Sequence, residues 1–103
     1  MKLIQKLTEY ITEEIEDAKK YAEDALLQKE NDPELARALY NISMQELEHM
    51  QTLHEQVSRL IENHRKEMGD PPASMMAVYN YLHEKQVRCA KEVRVMQAMY
   101  REG

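Results

Sequence analysis

Apolar residues recur every three to four positions along almost the whole chain, which is the period of an α-helix. Two short segments break this pattern, "NDP" at 31–33 and "GDPP" at 69–72. Each places a proline, which suits the first turn of a helix, after residues that favour a turn. Because the connections are short, neighbouring helices should run antiparallel, up-down-up, in one all-α domain over residues 1–103. The three predicted helices cover about residues 2–30, 33–67 and 73–101.

Each predicted helix has one apolar stripe on a wheel of about 100° per residue. Glu14 lies within the first stripe, toward its edge, and Glu46 and His49 interrupt the centre of the second. No carboxylate interrupts the third stripe, so chemistry is expected on the first two helices. The stripes are Ile4, Leu7, Ile11, Ile15, Ala18, Ala22 and Ala25; Leu35, Leu39, Ile42, Met50, Leu53, Val57, Leu60 and Ile61; and Met75, Val78, Tyr79, Leu82, Gln86, Cys89, Val93, Met96 and Tyr100.

Glu46 and His49 are one helical turn apart on a face that should be buried. A buried ionised group without a partner costs several kcal/mol, and a metal ion is an effective compensation. In an antiparallel hairpin that turns near residue 31 or 32, residues whose numbers sum to about 63 lie at one height. Glu14 is then level with His49. The wheel and the register together predict a metal-binding cluster of Glu14, Glu46 and His49.

The same region resembles a known family. The segments "EEIEDAKKYAEDA" and "QELEHM" are similar to the first half of a ferritin-like or rubrerythrin-like domain, and the greatest similarity is to the small encapsulated ferritins. The resemblance covers about residues 7–60. It includes a Glu-Glu-x-Glu run, a Tyr, an Asp-Pro-Glu-Leu turn and Glu-x-x-His, matched here by Glu13, Glu14, Glu16, Tyr21, the segment 32–35, Glu46 and His49.

The resemblance implies a dinuclear metal protein, a ferroxidase that oxidises Fe(II) to Fe(III). One chain offers two Glu and one His, half of the usual set of ligands. A homodimer, or a higher homo-oligomer, would close a four-helix bundle around two iron ions per pair of subunits. Manganese or zinc could replace iron, the oxidant could be dioxygen or peroxide, and an encapsulating shell is a further candidate partner.

Several alternatives remain open at the level of sequence. Alignment on the "DPEL" turn alone favours Glu16 rather than Glu14 as the ligand of the first helix, whereas the wheel favours Glu14. Tyr21 is expected to pack rather than to take part in redox chemistry, and His54 and His83 are expected at the surface. The other candidate functions are a rubrerythrin-like peroxidase and a non-catalytic, spectrin-like three-helix interaction module. The absence of tryptophan argues against a spectrin-like core.

Charge and composition exclude other classes of function. The net charge of −5 comes from mixed acidic and basic residues without a basic cluster, so no nucleic-acid partner is expected. The single Cys89 cannot form an internal disulfide, and the sequence has no apparent signal peptide. No apolar run is long enough for a membrane span. The sequence therefore predicts a cytoplasmic protein with no membrane partner.

Overall fold

Three α-helices account for most of residues 2–102, the part of the chain that the computed structural model describes. They are α1 (Lys2–Gln28), α2 (Pro33–Met68) and α3 (Ala73–Glu102). The predicted boundaries are confirmed to within two residues, and no strand occurs within the described range. The longest dimension, 55 Å, matches the length of the 36-residue α2 at about 1.5 Å per residue.

Both connections have the chemistry that the sequence indicated. Asp32 caps α2, because its Oδ1 accepts a hydrogen bond from the backbone N–H of Leu35 at 3.1 Å, and Pro33 follows as the first helical residue. Gly69 ends α2 with φ +84°, a conformation that favours glycine. Its N–H donates to the carbonyl of Arg65 at 3.2 Å. These two caps fix where the chain reverses.

Contacts along the helices establish the up-down-up order. Ser43 on α2 donates to the Ala18 carbonyl on α1 at 2.7 Å, close to the predicted antiparallel register. Between α2 and α3, Tyr40 stacks on Tyr100 and His54 stacks on His83, so residues further along α2 meet residues earlier on α3. The helices α2 and α3 are therefore antiparallel, and α3 runs in the same direction as α1.

The predicted apolar stripe of α1 is confirmed. Its members are buried, apart from a partly buried Leu7, and Thr8 joins them. Ala18 and Ala25 are completely buried and Ala22 almost so. These small side chains allow α2 to approach closely enough for Ser43 to reach the α1 backbone.

The predicted stripe of α2 needs a correction. Its buried residues are Ala36, Ser43, Leu47, Met50, Val57 and Ile61. Leu35 is 43% exposed, and Leu39, Ile42, Leu53 and Leu60 are only partly buried. The apolar residues of α2 lie on two adjacent faces of the helix, one buried and one partly exposed. The predicted stripe combined the two faces, so its centre falls at the boundary between them. Glu46 and His49 thus lie at the edge of the monomer core and not at its centre.

The predicted stripe of α3 is also only partly correct. Val78 is 60% exposed, whereas Gln97 and Ala90, which the predicted stripe omitted, are buried together with Gln86 and Val93, which it included. The Gln86 amide donates to the Thr8 carbonyl and to Thr12 Oγ1, each at 3.1 Å. The burial of Gln86 was therefore predicted, and partners on α1 that the stripe could not show compensate its polar group.

None of the helices in residues 2–102 combines the length and the apolar character that a membrane span requires.

Candidate metal centre

Side chains from α1 and α2 meet halfway along the hairpin. Glu14, Glu46 and His49 each offer one potential ligand atom, and these atoms all lie within 4.8 Å of one another. His49 Nδ1 is 3.5 Å from Glu14 Oε2. The structure therefore brings together the three residues that the sequence singled out.

The hairpin itself positions this cluster. The hydrogen bond from Ser43 Oγ to the Ala18 carbonyl is about one turn away from Glu14 on α1 and from Glu46 on α2. It holds the two helices in a fixed register where the ligands meet. Glu46 and His49 then project from successive turns of α2. A shift of α2 by one residue would turn both away from Glu14.

The Glu14 carboxylate lacks a hydrogen-bond donor. Its Oε2 is buried, although the side chain as a whole is 26% exposed, and no group in residues 2–102 donates to it. The imidazole of His49 is close but lacks the geometry of a hydrogen bond. A buried carboxylate oxygen without a donor is unfavourable, so the cluster is incomplete as a purely polar arrangement.

The Glu46 carboxyl also lacks enough positive charge around it to stay ionised over its ordinary pH range. Its pKa rises from 4.5 to about 7, chiefly because the protonated group can hydrogen-bond to Glu14. Burial and the negative charges of Glu14 and Asp17 raise the pKa further, and His49 opposes the shift. Near neutral pH, a proton on Glu46 thus offsets part of the negative charge that a cation would balance.

The three residues fit a divalent metal ion. Carboxylate oxygens suit Fe, Mn and Mg, and imidazole nitrogen suits Fe and Zn, so the mixed set favours a transition metal. A cation would give the buried Glu14 Oε2 its missing partner and release the proton of Glu46. Three protein ligands are too few to fill the coordination shell of iron or manganese.

The surface around the cluster is apolar and uncovered. α3 packs near Thr8, Thr12 and Lys19 of α1, and Glu14 is about 160° away from Thr12 around that helix. We call this opposite side of the hairpin the open face. His49 has a side-chain exposure of 61% there. The apolar members of the open face, half-buried or exposed, are Leu3, Leu7, Tyr10 and Tyr21 of α1 and Leu35, Leu39, Ile42, Leu53 and Leu60 of α2.

The other predicted acidic residues lie outside the cluster. Glu13 and Glu16 are exposed, and Glu16 borders a small cavity with Cys89 on the side covered by α3. Among the acidic residues of α1, the structure thus brings Glu14, and not Glu16, close to His49. Cys89, predicted to be buried, is half-buried, and burial raises the pKa of its thiol.

Two features of the polar surroundings could not be seen on the apolar stripes. Asp17, one turn after Glu14, is close enough to raise the pKa of Glu46, and its i+3 spacing from Glu14 was the available signal. His54 and His83 were expected at the surface, which is wrong. They are half-buried and stacked, with ring centroids 4.7 Å apart.

No family model matches this chain, and comparison with curated proteins and with solved structures found no match either.

Proposed function

We propose that this protein is a ferritin-like dinuclear metal protein that oxidises Fe(II) to Fe(III) at a site shared by two copies of the chain. The observation that carries the proposal is the buried Glu14 oxygen without a donor, beside a Glu46 carboxyl that retains its proton to about neutral pH. Metal-free, the cluster is electrostatically unfavourable, and bound cations would relieve it.

The composition of the cluster supports a site made by two chains. Ferritin-like bundles bind two metals with a Glu from each of two helices and a Glu-x-x-His motif from each of the other two. One copy of this chain provides one helix of each kind, α1 with Glu14 and α2 with Glu46 and His49. A twofold pair would bring four carboxylates and two imidazoles together. The charges of four carboxylates and two divalent ions cancel.

The open face supports the same arrangement. Its leucines and tyrosines surround the cluster, and a second hairpin packed on it would bury them together with the exposed His49. Burial of apolar area contributes roughly 25 cal/mol per Å². Association would thus also remove the ligands from water, which strengthens their interaction with a cation.

The two glutamates and the histidine then have different roles. Glu46 and Glu14 bind Fe(II), the substrate, through carboxylate oxygens that favour the ferric product, and His49 supplies a neutral nitrogen at the edge of the site. Iron gives one electron per ion to dioxygen or peroxide, the external oxidant. Binding displaces the proton of Glu46, so affinity for metal should fall below about pH 7.

The test combines metal content, mass and activity. Protein purified without chelator should contain iron, manganese or zinc in a ratio of about one ion per chain. Sedimentation with Fe(II) should show a dimer or a larger assembly. Glu46→Ala should abolish dinuclear loading and the appearance of Fe(III), because it removes two carboxylates from each site. His49→Ala should reduce oxidation more than binding, because all four carboxylates remain.

Glu48→Ala is the matched control, since Glu48 is an exposed glutamate on the same helix and outside the cluster. It should bind and oxidise iron as the parent does. A chain that stays monomeric with and without Fe(II), or a Glu46→Ala variant that oxidises Fe(II) at the parental rate, would favour the three-helix interaction module instead.

A further inference from the structure

A second polar site lies on the other side of the molecule from the metal cluster, where α2 meets α3. A cleft of about 310 Å³ opens between the two helices, with Ile11 of α1, Met50 and Ala90 among its apolar lining. This volume equals roughly ten water molecules at ~30 Å³ each. The cleft can therefore hold a small molecule.

The charged lining of this cleft is entirely basic. It includes His54 on α2 and His83, Lys91 and Arg94 on α3, and no Asp or Glu. The chain as a whole has 19 Asp and Glu against 14 Lys and Arg, so the charge of Lys91 and Arg94 in the lining is opposite in sign to the net charge of the protein. Two amides, Gln51 and Gln86, add hydrogen-bond donors.

The cations of the cleft lack acidic partners. Within residues 2–102, no carboxylate oxygen lies within 4.0 Å of the side-chain nitrogens of Lys91 or Arg94. Glu48 borders the neighbouring groove that shares Arg94, yet it forms no ion pair there. Both positive side chains are free to bind a ligand.

The stacked geometry of the histidine pair does not suit a shared metal ion. The two rings are nearly parallel, at 10°, with centroids 4.7 Å apart, and Tyr79 extends the stack. Two imidazoles that bind one metal ion direct their nitrogens at a single point, which stacked rings do not do. The nearby Lys91 and Arg94 would also repel a cation.

We propose that this cleft, with Lys91 and Arg94 toward one end and the His54–His83 pair at the other, binds a small oxyanion, a phosphate or a carboxylate. Arg94 can bind the anion through two parallel hydrogen bonds, and protonation of His54 would add positive charge to the same cleft. The bound anion supplies the negative charge that the lining of the cleft lacks.

The groups around the rings give the site a dependence on pH. Burial and the proximity of His83 lower the pKa of His54, and Glu55 opposes this shift. Tyr79 stacks on His83, Lys91 and Arg94 line the same cleft two to three helical turns further along α3, and α1 contributes the apolar Ile11. Anion binding favours the protonated form of His54, so an anion whose own charge is constant between about pH 6 and about pH 8 should bind more tightly at the lower pH.

The test titrates the whole protein with inorganic phosphate at constant ionic strength, with chloride as the reference anion. Saturable shifts of the His54 and His83 ring protons in NMR spectra at one pH support the site, and the pH dependence is measured with sulfate, whose charge does not change between about pH 6 and about pH 8. Succinate tests the carboxylate source, and tighter binding of either anion identifies the ligand. Absence of saturation, or equal shifts with chloride, overturns the proposal.

Two variants locate the binding. Arg94→Gln should weaken phosphate binding at least about tenfold, because even one of its two hydrogen bonds to a charged group is worth about that factor. Arg88→Gln makes the same change on an exposed position of α3 outside the cleft and should leave binding unchanged. Equal losses in both variants would show only a general effect of charge and would reject the site, as would binding of Zn²⁺ by the histidine pair in place of an anion.

Discussion

Buried polar groups have hydrogen-bond partners on one side of the α1–α2 hairpin and lack one on the other side. On the side covered by α3, Gln97 donates to Ser43 Oγ at 2.9 Å, and Ser43 donates to the Ala18 carbonyl. On the open face, Glu14 Oε2 has no donor within the described residues. Completed hydrogen bonds serve the stability of the fold, whereas a deficit that the fold leaves in place indicates a binding site.

The largest expected effect is the difference in unfolding free energy lost between a substitution in the packed interior and one on the open face. Ile15 is 2% exposed, and Ile15→Ala should lower the free energy of unfolding of the metal-free protein by about 2–5 kcal/mol, because it leaves a cavity. Leu53→Ala, on the half-buried open face, should cost clearly less. Urea titrations measure both values. Equal losses would mean that the open face is already part of the monomer core.

A second change interrupts the completed hydrogen bonds. Ser43→Ala removes the hydroxyl that joins α1, α2 and α3, so the Ala18 carbonyl and the Gln97 amide lose a partner. The expected cost is about 1–3 kcal/mol in the free energy of unfolding. Ser58→Ala, an exposed serine on the same helix, is the control and should change stability little. A neutral Ser43→Ala would show that water replaces the hydroxyl.

A third prediction concerns pH. Unlike the two preceding substitutions, this one should stabilise the metal-free protein. The folded-state pKa of Glu46 is about 7, above its ordinary 4.5, so the folded protein holds an extra proton between these values. Stability from this group is therefore greatest below about pH 4.5 and decreases as pH rises to about 7. Glu46→Gln should flatten this part of the stability curve and stabilise the metal-free protein above neutral pH. Thermal unfolding from acidic to weakly basic pH measures the difference; an unchanged slope would contradict it.

The smallest effect is expected at the exposed ion pair between α1 and α3. Lys19 Nζ lies 3.8 Å from Glu92 Oε2, and the two side chains are 43% and 64% exposed. Glu92→Gln should change the free energy of unfolding by less than about 1 kcal/mol, because solvent screens the pair. High salt should reduce the difference further. A larger loss would mean that α3 depends on this pair more than on Gln86 and Gln97.

The sequence predicts the helices and their ends, but not all the contacts that side chains make between helices. Asp32, Pro33 and Gly69 act locally, so both turns could be predicted. The Glu14 and His49 pair was predictable because a short turn fixes the register of a hairpin. The roles of Ser43 and Gln97 depend on partners far along the chain, and neither has a local pattern.

The same limit explains the errors on α2 and α3. A helical wheel counts apolar residues without knowing which neighbour covers them, so it merged the packed face of α2 with its open face. It also assigned His54 and His83 to solvent, since a stacked pair across two helices is visible only when both are placed. The proposed dimer is a prediction for the same reason, because its contacts lie between chains.

The way α3 is attached has a consequence for the motions of the molecule. Two buried glutamines and stacked rings join it to the hairpin, and only Ala90 and Val93 are buried apolar residues on this helix. Such a helix can detach in a partial opening while the apolar contacts between α1 and α2 persist. Its amide hydrogens should then exchange with solvent deuterium sooner than those around Ile15 and Val57. Glu14, Glu46 and His49 would stay together in that opened form, because the hairpin alone holds them.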